Sequence, residues 1–317
     1  GQETYGEDPY LTSRLGVAFI KNVQQRGGKH LKAAACAKHF AVHSGPESLR
    51  HGFNAEVGEK DLRETYLPAF EAAVKEAEVE AVMGAYNAVN GVPCCCSEYL
   101  LKTILRQEWG FTGHVVSDCG AIFDISENHK YAADKTEAAA LGIKNGCDLN
   151  CGTVYEKLID AYEQDLVTEA DLDEALLHLF GTRNRLGMLG EQTEFDDIPL
   201  SVVACPAHKA LSLRAAEDSL VLLKNDGVLP LKKENMRKVA VLGPNANSLE
   251  VLLGNYFGIP TEYSTPYAGI KEYLGDGVEV VTARGCKYFE EDVDAGYSLE
   301  KLVRDADVAI LCIGLTA

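Results

Sequence analysis

The first apolar stripe is Leu11, Leu15, Ala18, Phe19 and Val23, spaced as one face of a helix. Asp8-Pro9 opens that helix, because Asp is a strong N-cap and Pro fits the first helical position. Gly27-Gly28 closes it. A short apolar run, Ala33 to Ala37, then reads as a buried strand leading straight into Lys38-His39-Phe40. Leu62, Tyr66, Phe70 and Val74 form a second helical stripe, and Val79 to Met83 a second strand that ends at Gly84-Ala85-Tyr86-Asn87. Ser97 caps a helix bearing Leu101, Ile104 and Leu105. His114 to Ser117 is a third strand, ending at Asp118, and a helix over about Lys135 to Lys144 precedes Gly146-Cys147-Asp148-Leu149.

Strand, polar cluster, helix thus recurs four times. Strands alternating with helices imply parallel pairing, and in a (β/α) barrel the polar strand ends form the working face. Four units supply about half of an eight-stranded barrel and leave edges unpaired. The expected fold is therefore α/β: a partial (β/α)8-type barrel followed by a truncated α/β sandwich. Thr168-x-x-Asp171 opens a closing helix through about Arg185. Residues 1–187 are expected to form the C-terminal part of the barrel, 188–208 a linker holding Gly190, Pro199 and Pro206, and 209–317 the first part of the sandwich. That second region holds a helix from Ala210 to Asp218 and strands Leu220 to Leu223, Lys238 to Leu242, Val278 to Val281 and Val308 to Ile313. Thr265-Pro266 caps a helix between the middle two. The chain opens at Gly1-Gln2-Glu3-Thr4 without Met, so a preceding segment is expected.

Composition then narrows the partners. Apolar residues make up 46% and charged residues 25%, an ordinary globular mixture. No apolar run approaches the roughly 20 residues of a membrane span, so no membrane partner is expected. The net charge is −18 and nothing basic is clustered to neutralise phosphates, which argues against nucleic acid and suits a small neutral ligand. Three of the ten cysteines are adjacent, Cys94, Cys95 and Cys96, and badly placed to bridge one another. None of the spacings has zinc-site form. Free thiols in a reducing compartment are expected, which tilts the location towards the cytoplasm. Assembly into a homo-oligomer is compatible with all of this.

Asp118 is the sharpest candidate for chemistry. A carboxylate that ends an apolar strand and precedes Cys119-Gly120 projects into the mouth of a barrel, where a glycosidase needs a fixed nucleophile below the anomeric carbon. A helix N-cap or a structural ion pair would explain the position equally well. Lys38 and His39 end another strand, and Arg50 and His51 follow in a polar loop. Cationic and imidazole donors can hold sugar hydroxyls and keep a nearby Asp ionised, or serve only as loop ion pairs. Tyr86 could donate to a nucleophile, Asn87 suits a structural bond to loop backbone, and Asp148 reads as structural. His39 and His43 have the spacing of a metal pair, but Phe40 stands where a zincin helix needs Glu, so no metal is expected. Gly243-Pro244 lacks the glycine pattern of a dinucleotide turn, and Pro244 removes an amide donor, so no cofactor is expected. Ser117 and Cys119 lack the elbow of a serine-type nucleophile.

With these residues in view the chain resembles glycoside hydrolase family 3, in its β-glucosidase and β-xylosidase branch. The resemblance is carried by Gly1-Gln2-Glu3-Thr4-Tyr5-Gly6-Glu7-Asp8-Pro9-Tyr10, by Ala37-Lys38-His39-Phe40-Ala41, and by the stretch from Val82 to Gly91. Val115 to Ala121, Ser219 to Asn225 and Leu229-Pro230-Leu231 complete it. It implies a barrel-like first domain and an α/β sandwich, with Asp118 as nucleophile and Lys38, His39, Arg50 and Tyr86 as sugar-binding residues. The implied activity is retaining, exo-acting hydrolysis of terminal β-D-glucosyl or β-D-xylosyl residues, and Cys119 in place of Trp looks closer to β-xylosidases. In this family the acid/base carboxylate follows a strand like Val308 to Ile313, so it is expected beyond Ala317, and a further arginine is expected before Gly1. On that view the chain is a piece of a family member lacking both ends. The alternative is a sugar-binding piece without catalysis.

Overall fold

The structure is a computed structural model, and it describes residues 4–190, 192–253, 258, 260, 262–288 and 299–315. The chain divides into two compact units, Glu3–Val203 and Ala204–Ala317.

In the first unit, helix α1 (Pro9–Gln24) starts as expected, with the Asp8 side chain accepting from the Tyr10 amide at 2.9 Å. Strand β1 is Cys36–Phe40, three residues later than its apolar run suggested, so Lys38 and His39 lie within the strand. A two-residue strand β2 (Asn54–Ala55) follows. The stripe from Leu62 to Val74 is not one helix: α2 (Glu59–Asp61) passes through a π-helical turn, Leu62–Tyr66, into α3 (Pro68–Lys75). Pro68 supplies no amide hydrogen, so the helical ladder restarts there. Strand β3 (Ala81–Gly84) leads to the short strands β4 (Ala88–Val89) and β5 (Val92–Pro93), which join β2 in a small sheet of order β2-β4-β5. A π-helical segment, Tyr99–Glu108, buries Leu100, Leu101, Ile104 and Leu105.

Strand β6 (His114–Ser117) and helices α4 (Ala121–Glu127) and α5 (Lys135–Lys144) come next. They are followed by α6 (Leu158–Glu163) and α7 (Glu169–Arg185), the latter opened by a complete Thr168–Asp171 capping box.

The main sheet has order β1-β3-β6, all parallel. The expectation of a partial eight-fold barrel followed by a truncated sandwich is corrected here. The fourth predicted strand is a single bridge, Val116 to Leu149. Asp148 takes its side chain inward, binding Arg106 at 2.7 Å, His178 at 2.9 Å and the Val115 amide at 2.7 Å, so the segment is anchored by a side chain more than by a ladder. Glu80, 1% exposed, anchors the foot of β3 in the same way through Arg26 at 2.7 Å and Arg185 at 2.6 Å. Buried charges persist only when paired in this manner. The apolar core between sheet and helices is led by Phe40, Leu67, Leu101, Ile104, Ile122 and Ile125.

In the second unit, α8 (Pro206–Asp218) begins at its proline. Leu220 to Leu223, expected as a strand, is irregular and exposed. Strand β7 (Lys238–Leu242), helices α9 (Glu250–Leu253) and α10 (Pro266–Leu274) and strands β8 (Glu279–Ala283) and β9 (Val308–Leu311) follow. The sheet has order β8-β7-β9, again parallel throughout. Among the described residues no helix is long and apolar enough to cross a membrane.

Candidate active site

Three strand ends of the first unit converge on Asp118. Strand β6 delivers it: the backbone amide of Asp118 donates to the Gly84 carbonyl at the end of β3, at 3.0 Å, and its carbonyl accepts from Ala121 at 3.0 Å. Gly120 then adopts φ 83°, a left-handed turn that glycine reaches without steric cost, and serves as the N-cap of α4. Asp118 is therefore not the helix cap. Its side chain is free of that duty, and the residue is 8% exposed.

Each carboxylate oxygen has a partner. Oδ1 accepts from the Cys119 amide at 2.8 Å, and Oδ2 lies 3.2 Å from Nε2 of His39, in β1. Tyr86, just past the end of β3, donates its hydroxyl at 2.8 Å to the carbonyl of Cys119, the residue next to Asp118. Burial, and next the charge of Asp118, pushes the Tyr86 phenol well above its ordinary pKa, so it remains a proton donor. Arg50 sits over the Tyr86 ring, 5.8 Å from its centroid, while its Nε and Nη2 bind Glu47 at 2.9 and 2.6 Å. Lys38 is half-buried in β1, one residue before His39, and the peptide joining them is cis. The structure thus brings Asp118, His39, Tyr86 and Arg50 into one chain of contacts, with Lys38 beside them on β1.

Asn87 has the structural place its sequence suggested. It is 1% exposed, donates to the Ala41 and Ala88 carbonyls at 3.2 Å, and meets Nδ1 of His43 at 3.2 Å. Sequence reasoning missed a second polar group on α4. Asp124 binds His51 at 2.8 Å and Asn128 at 2.5 Å, and Nε2 of His129 contacts the Tyr86 carbonyl at 2.8 Å. A polar residue between Ile122 and Ile125 on a buried helix face was the available signal. Among the described residues no group of three His, Cys, Asp or Glu is placed to hold a metal ion.

Parallel strands with helical returns, and a carboxylate flanked by an imidazole and a phenol at the carboxyl ends, place the chain among α/β enzymes with strand-end sites. The glycosyl hydrolase family 3 N-terminal domain matches residues 1–181 and the family's C-terminal domain matches residues 220–317, so the chain belongs to glycosyl hydrolase family 3. It is 43% identical over 278 residues to a xylan 1,4-beta-xylosidase of Xylanibacter ruminicola, covering 86% of this chain and 32% of that protein. It is 38% identical to the probable beta-D-xylosidase 7 of Arabidopsis thaliana, covering 99% of this chain and 43% of that one.

Among solved structures, a family 3 exo-beta-xylosidase, XlnD, in complex with a xylobiose aziridine probe superposes with a TM-score of 0.92 at 34% identity, covering 100% of this chain and 42% of that chain. A beta-glucosidase of Listeria innocua in complex with isofagomine gives 0.85 at 30%, covering 99% of this chain and 44% of that chain. The expectation of a piece lacking both ends is corrected to what these matches show: both family domains are met in order, and the likeness covers 99–100% of this chain. The chain spans 32–43% of the length of the curated relatives it matches.

Proposed function

We propose that the protein is a retaining, exo-acting β-glycosidase that releases terminal β-D-xylosyl or β-D-glucosyl residues. The observation that carries this reading is the Asp118 carboxylate at the end of β6, 3.2 Å from His39, with the Tyr86 hydroxyl bound to the carbonyl of the next residue, Cys119. Asp118 attacks the anomeric carbon as the bond to the leaving oxygen breaks, and that oxygen takes a proton from a carboxylic acid roughly 5 Å from the nucleophile. Water then cleaves the glycosyl–aspartate ester and restores the carboxylate.

The protein's own groups prepare this step. His39 and the Cys119 amide fix the carboxylate's orientation, and Tyr86 holds the Cys119 carbonyl beside it. Lys38 and Arg50 supply donors for the sugar. The xylosidases among the relatives, and Cys119 next to the nucleophile, favour xylosides, while the structural likeness to a beta-glucosidase keeps glucosides within the substrate class. Incubation with 2-fluoro xyloside or glucoside followed by peptide mass mapping should place the label on Asp118. A label on any other residue sinks the assignment.

A further inference from the structure

One polar cluster beside the site remains without a role. Nδ1 of His51 lies 2.8 Å from one oxygen of Asp124, which is 2% exposed, and the other oxygen accepts from Asn128 at 2.5 Å. A carboxylate partner fixes the imidazole proton on Nδ1 and leaves Nε2 of the neutral ring as a lone-pair acceptor. Among the described residues nothing hydrogen-bonds to that Nε2, and the His51 side chain is 54% exposed. The ring packs edge-on against Tyr86, with centroids 4.7 Å apart, and Tyr86 donates to the carbonyl of Cys119, next to Asp118. Arg50, on the same tyrosine, has Nε and Nη2 engaged by Glu47 and Nη1 left over. An oriented acceptor and a cationic donor therefore each lie against the Tyr86 ring.

We propose that His51, held by Asp124, is a substrate-binding residue that accepts a hydrogen bond from a sugar hydroxyl beside Tyr86. This rests on the glycosidase reading above and extends it. A carbohydrate presents hydroxyls that both donate and accept, so Nε2 of His51 can accept from one and Nη1 of Arg50 can donate to another. Asp124 acts through His51 and is a positioning residue.

The test measures turnover of nitrophenyl β-xyloside and β-glucoside, and calorimetric binding of xylose and glucose, on the full chain. His51→Phe keeps the ring against Tyr86 but removes the acceptor; it should raise KM and the sugar Kd about tenfold, the scale of one lost hydrogen bond, with a smaller change in kcat. His51→Gln restores an acceptor and should recover part of the loss. Asp124→Asn donates to Nδ1, moves the ring proton to Nε2 and should weaken binding as His51→Phe does. If Asp124→Asn loses its near-ultraviolet circular dichroism, the His51 pair of variants decides alone. Unchanged sugar affinity in His51→Phe overturns the proposal, as does a fall in kcat at unchanged affinity, which would make the pair only a brace for Tyr86. Failure of the glycosidase reading is seen separately, as full turnover by Asp118→Asn whatever the His51 variants do.

Discussion

The sheet of the first unit and the sheet of the second use the same parallel pairing but end differently. In β1-β3-β6 the chain steps across in one direction, and the carboxyl ends carry Lys38-His39, Tyr86-Asn87 and Asp118. In β8-β7-β9 it starts in the middle and moves to both sides, and the ends carry Gly243-Pro244, Arg284 and Cys312. There the connections are made by backbone: Gly243 donates to Ala283 at 3.0 Å and Cys312 to Leu242 at 2.7 Å. A Cβ at Gly243 would collide with the Cys312 backbone.

Charge follows the same division. Among the described residues the first unit buries Glu80, Asp124 and Asp148 in paired networks, whereas Arg304 and Glu300 in the second unit pair at 70% and 67% exposure. Parallel pairing by itself builds a platform. What makes one platform chemical is the set of buried carboxylates that orient its strand ends.

The contrast can be broken most severely at Asp118. Asp118→Asn should lower kcat on aryl β-xyloside by a factor on the order of 10⁴, with the melting profile preserved, because a neutral amide cannot form the ester. Next in size is Asp148→Ala, which strands Arg106 and His178. Breaking a buried pair costs about 3–5 kcal/mol, read as a lower urea midpoint for the first unit alone. Tyr86→Phe removes the hydrogen bond to the Cys119 carbonyl beside the nucleophile and should cut kcat/KM by about 0.5–1.5 kcal/mol, roughly two- to twelvefold, while the fold persists.

The smallest effect is one of pH. Burial lowers the pKa of His114, which contacts Thr182 at 2.9 Å. The unfolded chain takes up this proton first, near pH 6.5, so the contribution is complete above that value. It is lost as pH falls from there through the folded-state pKa. Urea midpoints at pH 7.5 and 5.5 should differ less in His114→Gln than in the native chain.

How far the fold could be read from sequence depended on how local its causes were. The Asp8 cap of α1, the Thr168–Asp171 box, strand His114–Ser117 and helix Lys135–Lys144 are set by neighbours in sequence, and all stand where expected. Strand β1 was displaced because Lys38 and His39 interrupt an apolar pattern that β3 nevertheless pairs with. The fourth strand shrank to a bridge because Asp148 answers to Arg106 and His178, partners 42 and 30 residues away. For the site, position at strand ends singled out Asp118, Tyr86 and the Lys38–His39 pair. The His51–Asp124 contact crosses 73 residues and has no periodic signature, so only coordinates could bring it out.

Gly113 lies at the foot of β6, where any Cβ would run into the Glu80 carbonyl. Beyond it stand four residues of strand, each rising about 3.3 Å, and then Asp118. A bulkier residue at that pivot would swing the whole rod, so a displacement made far from the sugar arrives at the reactive tip as misalignment. Directed-evolution libraries that aim to change substrate preference should therefore freeze this position and place their diversity around the rim.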